Sequence, residues 1–238
     1  MTSIAMWSGP RNLSTALMYS FGNRADFAVV DEPFYAHYLA QTGLDHPMRA
    51  AVLSSQLQSA EAVIQSLTQP KPQHFYQKHM CQHMLPSVPR DWMHGVQNVF
   101  LIRHPARVIA SFGAKYEGFG LADIGFSQQL ELFDMLRNEG QTPLVIDSAD
   151  IRDAPETMLT RLCTALGLPF DKAMLGWPAG GHPEDGVWAA HWYNAVHAST
   201  GFAGPEGPLP ELQTAADQKL LSEALPVYEA LAQFRLTA

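Results

Sequence analysis

The chain has no run of about 18 apolar residues, so nothing in it is expected to span a membrane. It shows no charged start followed by an apolar stretch, the pattern of a secretory leader. Met1-Thr2-Ser3-Ile4-Ala5-Met6-Trp7 passes straight into Ser8-Gly9-Pro10-Arg11. Basic residues are sparse: 15 Lys and Arg stand against 23 Asp and Glu, for a net charge of -8, and they form no basic cluster. That excludes the electrostatic footprint of a nucleic-acid binder. There are two cysteines, Cys81 and Cys163, in no C-x-x-C pair and no metal-ligand spacing. They are expected to be reduced thiols in a cytoplasmic protein that holds no metal. Internal repeats and low-complexity segments are also missing.

What is present is a globular composition, 47% hydrophobic and 16% charged over 238 residues, enough to bury one core. Residues 4–7 form a short apolar run ending at Ser8-Gly9-Pro10, which predicts a buried first strand. Apolar residues at helical spacing follow over 13–21, stopped by Gly22-Asn23. Further strands are predicted over 27–30, 74–79, 96–102 and 144–146. Helices are predicted over 35–68 (broken near Gly43 and Pro47), 106–115, 126–138, 155–166 and 212–234. This alternation implies an α/β fold of the P-loop type: three layers, with a mostly parallel central sheet and helices on both faces. The whole chain, 1–238, reads as one domain. In it, 176–210 mixes Gly, Pro and aromatics and reads as a lid or substrate-side insertion.

Open parallel sheets bind ligands at the carboxyl ends of their strands. The first strand-to-helix turn reads Ser8-Gly9-Pro10-Arg11-Asn12-Leu13-Ser14-Thr15. A helix N-terminus offers free N–H groups and a positive dipole end, Ser14 and Thr15 add hydroxyls, and Arg11 adds a fixed charge. The loop is not G-x-x-x-x-G-K-[ST]: Ser8 and Leu13 stand at the two glycine positions and Ser14 at the lysine, which counts against Mg-ATP. An ordinary capped helix with a surface arginine is the alternative. A second basic site follows the 96–102 strand, where Arg103-His104-Pro105 opens a helix and Ser111 lies about two turns on. Arginine can pair with a phosphate bidentately and a serine hydroxyl can bond the same group. A purely structural ion pair at Arg103 is the alternative.

Together the two segments resemble the sulfotransferase family. Pro10-Arg11-Asn12-Leu13-Ser14-Thr15 matches its P-[KR]-[ST]-G-T-T type loop. Arg103, Pro105 and Ser111 match its R-[DN]-P-x-x-x-x-x-S type segment, and Leu166-Gly167-Leu168-Pro169 resembles part of its late strand–helix segment. The opening Trp7 to Phe21 segment and Asp31-Glu32-Pro33 are also similar to sulfotransferase-like domains found fused to aminotransferase-like domains. The resemblance implies a donor co-substrate, 3′-phosphoadenosine 5′-phosphosulfate. Residues 11–15 of the loop would hold its 5′-phosphosulfate, and Arg103 with Ser111 its 3′-phosphate. The chain departs from the family in having Leu13 for a glycine and His104 for Asp or Asn, and in lacking the late R-K-G triplet.

For the chemistry, Arg11 and then Lys78 are the candidates to meet charge developing on the transferred group. Tyr76-Gln77-Lys78-His79-Met80 resembles the family's K-T-H segment one residue short, which makes His79 a candidate base. Glu32, beside Asp31, is another, with helix capping as the alternative for both carboxylates. His79 and His83 would share a metal only if they lay on one helix, and no third ligand supports them. Trp188, His191, Trp192, Tyr193 and His197 could line a pocket, though a helix packing Trp188 and Trp192 on the core is the commoner explanation. The expected partner is a small hydroxyl or amine acceptor, and the expected form a monomer or homodimer. The competing functions are a P-loop kinase or nucleotide hydrolase, and a nucleotide-binding domain without catalysis.

Overall fold

In the computed structural model, residues 1–116 and 118–237 are described. Five strands form one parallel sheet: β1 (Ser3–Ser8), β2 (Phe27–Asp31), β3 (His74–Met80), β4 (Gln97–Ile102) and β5 (Leu144–Asp147), in the order β2-β3-β1-β4-β5. The chain leaves β1 toward β2 and later crosses back over β1 to reach β4 and β5. The direction reverses between β1 and β4, so their carboxyl ends open a crevice there.

Side chains alternate along the strands and sort the core into two layers. Ile4 and Met6 of β1 face Leu17 and Phe21 of α1 (Ser14–Gly22). On the same side lie Leu159 and Leu162 of α9 (Pro155–Ala165). Ala5 and Trp7 face the other way, to a layer formed with α4 (Ala60–Thr68), α7 (Phe126–Asn138) and α12 (Ala215–Ala232). The three-layer α/β architecture expected from the alternating pattern is therefore present.

The helical stretch expected over 35–68 is three helices, α2 (Tyr35–Thr42), α3 (Arg49–Ser55) and α4. Gly43 closes the first in the left-handed region at φ 70°, which glycine adopts without strain. Ser59 caps α4 by accepting from the Ala62 N–H, a start signal that separates it from α3. Pro105 stands in the first turn of α5 (Pro105–Gly113), and Gly125 separates α6 (Leu121–Ile124) from α7. A short helix α8 (Ser148–Asp153), not expected from periodicity, starts where Asp147 accepts from the Ala149 N–H.

The aromatic-rich segment after residue 175 leaves the body and returns to it, closed at its base by a bridge between Gly176 and Gly201. It carries two single-turn helices, α10 (Ala189–Trp192) and α11 (Asn194–His197). Trp188 and Tyr193 pack against Tyr35, Leu39 and Val52 of α2 and α3. Among the described residues no helix is long and apolar enough to cross a membrane, and no group of three or more His, Cys, Asp and Glu could hold a metal ion.

Candidate functional site

A cavity of about 390 Å³ opens at the carboxyl ends of β1, β3 and β4, within the usual range for small-molecule sites. The loop after β1 forms one wall, with Pro10, Arg11, Asn12, Leu13, Ser14 and Thr15 all on the lining. Its shape comes from two left-handed residues, Arg11 at φ 62° and Leu13 at φ 69°. Leu13 is the residue standing where the family prefers glycine, and its positive φ is the physical reason for that preference. The turn delivers the chain into the N-terminus of α1, whose first N–H groups have no intrahelical acceptor. Ser14 and Thr15 sit at that end, and among the described residues neither hydroxyl has a hydrogen-bond partner. Ser8 and Gly9 lie beneath the loop instead of on the cavity wall. Ser8 is buried in the sheet, and a Cβ at Gly9 would stand 2.3 Å from the Ile124 carbonyl oxygen.

Arg11 and the second basic site meet here. The Arg11 Nε donates to Ser111 Oγ at 2.9 Å, and Arg103 donates through Nη1 to the Arg11 carbonyl at 2.6 Å. The Arg11 guanidinium is held below its ordinary pKa, first by burial and then by the charge of Arg103, yet an arginine stays charged at any physiological pH. Arg11, Ser111 and Arg103, expected at the two phosphate positions, are thus joined by two hydrogen bonds, although Arg11 lies 100 and 92 residues from the other two. Arg103 also pairs with Glu206, so the ion-pair alternative and the cavity position hold together.

Lys78 lies on the cavity wall but points its ammonium into a sealed polar cluster. Its Nζ donates to Asp31 Oδ1 at 2.7 Å, Glu32 Oε1 at 2.5 Å and Tyr193 Oη at 2.7 Å. Tyr193 Oη also accepts from Trp188 Nε1 at 2.9 Å and donates to Asp31 Oδ2 at 2.8 Å. All three Lys78 donors are occupied, so the residue positions its neighbours and offers no free N–H to a ligand. Burial opposes its charge, but Asp31 and Glu32 outweigh burial and raise its pKa. The Glu32 carboxyl is pushed up, first by burial and also by Asp31, while Lys78 pulls against the rise. Glu32 borders the cavity, and its backbone sits at φ 41°, a strained value for a non-glycine residue. Neither carboxylate caps α2; in its first turn the Ala36 N–H donates instead to Gln56 Oε1 at 3.1 Å.

His79 does not reach the cavity. Adjacent strand residues point to opposite faces, so directly following Lys78 places His79 on the far side of the sheet. There its ring stacks on Trp7 at 4.3 Å, and its Nε2 lies 3.1 Å from Gln77 Oε1. Burial first, then the Lys78 charge, pushes its pKa down to about 3. The histidine that does line the cavity is His83, on the turn Cys81–His83 that follows β3. Its ring stacks on Tyr35 at 4.6 Å and 9°, and its buried Nδ1 has no hydrogen-bond partner among the described residues. Burial, assisted by the charges of His46, Lys78 and His79, holds it well below the ordinary histidine pKa, so it is neutral near pH 7. No periodic pattern marks a residue three positions beyond a strand, so the resemblance to the family's K-T-H segment pointed to His79 and not to His83. His79 and His83 share no helix, the condition on which a shared metal depended.

Around His83 the cavity lining forms an aromatic bowl that includes Tyr38, His46, Phe112 and Tyr116. From the aromatic-rich segment, Trp188, Trp192 and Tyr193 reach the lining, and Trp192 stacks on Phe112 with planes 3° apart. His191 and His197 do not reach it; His197 Nε2 lies 3.0 Å from Asp185 Oδ2.

The sulfotransferase domain family matches this sequence over residues 1–235. The chain belongs to that family. Two Arabidopsis thaliana relatives, branched-chain-amino-acid aminotransferase-like proteins 1 and 2, are 39% and 36% identical to it over 96% and 97% of its length. The chain spans 41% of the length of each, as the resemblance to fused sulfotransferase-like domains implies. Solved sulfotransferases share the fold at lower identity. The enzyme from Alicyclobacillus acidocaldarius superposes with a TM-score of 0.58 at 10% identity, over 99% of this chain and 97% of that one. The sulfotransferase domain of the curacin biosynthetic pathway gives 0.55 at 16%, over 94% and 97%. That of the Synechococcus PCC 7002 olefin synthase gives 0.51 at 20%, over 94% of each chain. In this sulfotransferase-family chain, both arginine-bearing loops converge at the crevice between β1 and β4.

Proposed function

We propose that this domain transfers a sulfuryl group from 3′-phosphoadenosine 5′-phosphosulfate to a small hydroxyl or amine acceptor. The observation that carries the reading is the convergence of Arg11, Ser111 and Arg103 at the N-terminus of α1, on the wall of a cavity that also holds a neutral, buried His83. The N-terminus of α1 and Arg11 hold the phosphosulfate, and Arg11 meets negative charge as it develops on the transferred oxygens. Near Arg103 sits the 3′-phosphate. His83 takes the acceptor's proton as its oxygen or nitrogen bonds to sulfur and the sulfur–oxygen bond to the donor phosphate breaks. Adenosine 3′,5′-bisphosphate leaves with that electron pair. The aromatic bowl receives the acceptor, and the segment 176–210, which supplies Trp188 and Trp192 to its wall, acts as a lid.

Donor consumption with a panel of phenols, alcohols and amines tests this. His83→Asn is expected to lower turnover about 10²–10⁴-fold while bisphosphate affinity stays within a few-fold. Because the His83 pKa is held low, kcat/KM in the wild type should stay level as pH falls through about 6.5 and drop only in more acid solution. Unchanged turnover in His83→Asn would remove His83 from the reaction. A nucleotide-binding domain without catalysis is the second reading, favoured by the occupation of Arg103 by Glu206.

A further inference from the structure

Among the described residues, Glu206 is the acidic side chain set among Arg103, Arg107 and Arg152 at the far end of the cavity. Arg103 donates to its Oε1 through Nη2, Arg152 donates to the same oxygen through Nη1 at 2.9 Å, and Arg107 Nε lies 2.9 Å from its Oε2. Its side chain is only 4% exposed, although it sits in a stretch without helix or strand. The flanking sequence is Gly204-Pro205-Glu206-Gly207-Pro208. The same arginines fasten that backbone: Arg152 Nε donates to the Gly204 carbonyl at 2.9 Å, and Arg107 Nη2 donates to the Gly207 carbonyl. Burial works to raise the Glu206 pKa, but the Arg103 hydrogen bond and the charges of Arg103, Arg107 and Arg152 hold it below the usual carboxylate value.

The charges do not balance. Three guanidinium groups face one carboxylate, and the buried Arg103 Nε still has no partner among the described residues. Planar guanidinium forks suit a phosphate, whose charge of about -1.5 to -2 and three oxygens would satisfy them better than a carboxylate does. Glycines on both sides of Glu206 have open space around the position of a Cβ, so little packing holds the segment apart from the arginines themselves.

We propose that Glu206 is an internal competitor for a phosphate monoester at the Arg103–Arg107–Arg152 cluster, and so sets which nucleotides this domain accepts. This rests on the nucleotide-donor reading above. A nucleotide with a phosphate at that end must displace the carboxylate and release the 204–208 strap. One lacking it binds with the strap in place. Discrimination between the two thus depends on how firmly Glu206 holds its arginines, because apparent affinity is reduced by the fraction of molecules in the competent state.

Calorimetric titration of adenosine 3′,5′-bisphosphate and of AMP into the wild type, Glu206→Gln and Glu206→Ala tests this. The glutamine keeps the shape and acceptor oxygen and removes the charge. The alanine removes both, and thermal unfolding of each variant verifies that it is folded. The expected result is a gain of about ten- to a hundredfold in bisphosphate affinity in both variants, with AMP affinity unchanged. AMP binding in all three proteins with equal or weaker bisphosphate affinity in the variants would overturn the competitor and leave the donor reading in place. No binding of either nucleotide by any of the three would overturn both.

Discussion

Lys78→Met is expected to cost the fold about 3–5 kcal/mol at neutral pH and to abolish measurable turnover. The side chain is 1% exposed, and among the described residues it is the only cation hydrogen-bonded to two buried carboxylates. A methionine fills similar volume but leaves Asp31 Oδ1, Glu32 Oε1 and the Tyr193 hydroxyl without their shared donor. Buried pairs add little net stability when intact, because desolvation offsets their attraction; breaking one leaves an uncompensated buried charge. The sign with pH follows. With Lys78 gone, nothing offsets the burial that raises the Glu32 pKa above its unfolded value, so the deficit is small below about pH 4 and grows as pH rises through that range. In the wild type, the raised Lys78 pKa contributes stability that is full below its unfolded value of about 10.4 and is lost as pH rises through the folded value. Urea midpoints at acid and neutral pH check the sign. The triple substitution Asp31→Asn, Glu32→Gln, Lys78→Met should recover much of the stability without recovering turnover. Equal destabilisation by Lys78→Met at both pH values would contradict the account.

Arg11→Ala is expected to lower turnover about 10²–10³-fold while the fold is retained to within about 1 kcal/mol. The side chain makes one good hydrogen bond, to Ser111, and a long one of 3.5 Å to the Trp192 carbonyl. The loop is tied to β4 by Asn12 Nδ2, which donates to the Leu101 carbonyl at 3.3 Å, and to the residue after β4 by Arg103, which donates to the Arg11 carbonyl; alanine keeps both. What alanine removes is a fixed charge at the mouth of α1, where the proposed transfer develops its transition-state charge. Bisphosphate binding should survive, since the leaving product carries its phosphates on other groups as well. Arg11→Lys should recover only part of the rate, because an ammonium lacks the planar fork. Turnover in Arg11→Ala within a few-fold of wild type would remove this residue from the reaction. Absence of turnover in the wild type with every donor would favour a domain that binds nucleotide without catalysis.

Much of the framework was legible in the sequence because the relevant signals are local. Residues 4–7 announce β1 by an apolar run that ends in Gly-Pro, and the helix over 126–138 coincides with α7. The loop after β1 and the Arg103 segment were legible through residue types at strand ends, and the sheet order then brought them side by side. Less local facts were not legible. His79 was chosen by sequence neighbourhood, whereas a one-residue offset in a strand reverses the face, and the cavity histidine lies on a turn with no periodicity. Glu32, beside Asp31, read as a candidate base or a capping residue, and the ion pairs of both carboxylates with Lys78 emerged only when β3 placed Lys78 in register opposite Asp31. Glu206 carried no signal at all, since its meaning depends on three arginines that lie 54 to 103 residues away. The R-K-G triplet is absent, and the structure gathers Arg107 and Arg152 with Arg103 from elsewhere in the chain.

The crevice between β1 and β4 is proposed to bind an adenosine nucleotide carrying a 3′-phosphate. A thermal-unfolding titration with adenosine 3′,5′-bisphosphate, ADP and Mg-ATP, side by side, tests it most directly. At about 100 times its dissociation constant a ligand adds about 2.7 kcal/mol, which for a domain of this size is a rise of about 5–10 °C. The account predicts that rise with the bisphosphate and a smaller one with ADP, neither requiring magnesium. A rise with Mg-ATP alone would contradict it and point to phosphoryl chemistry in its place.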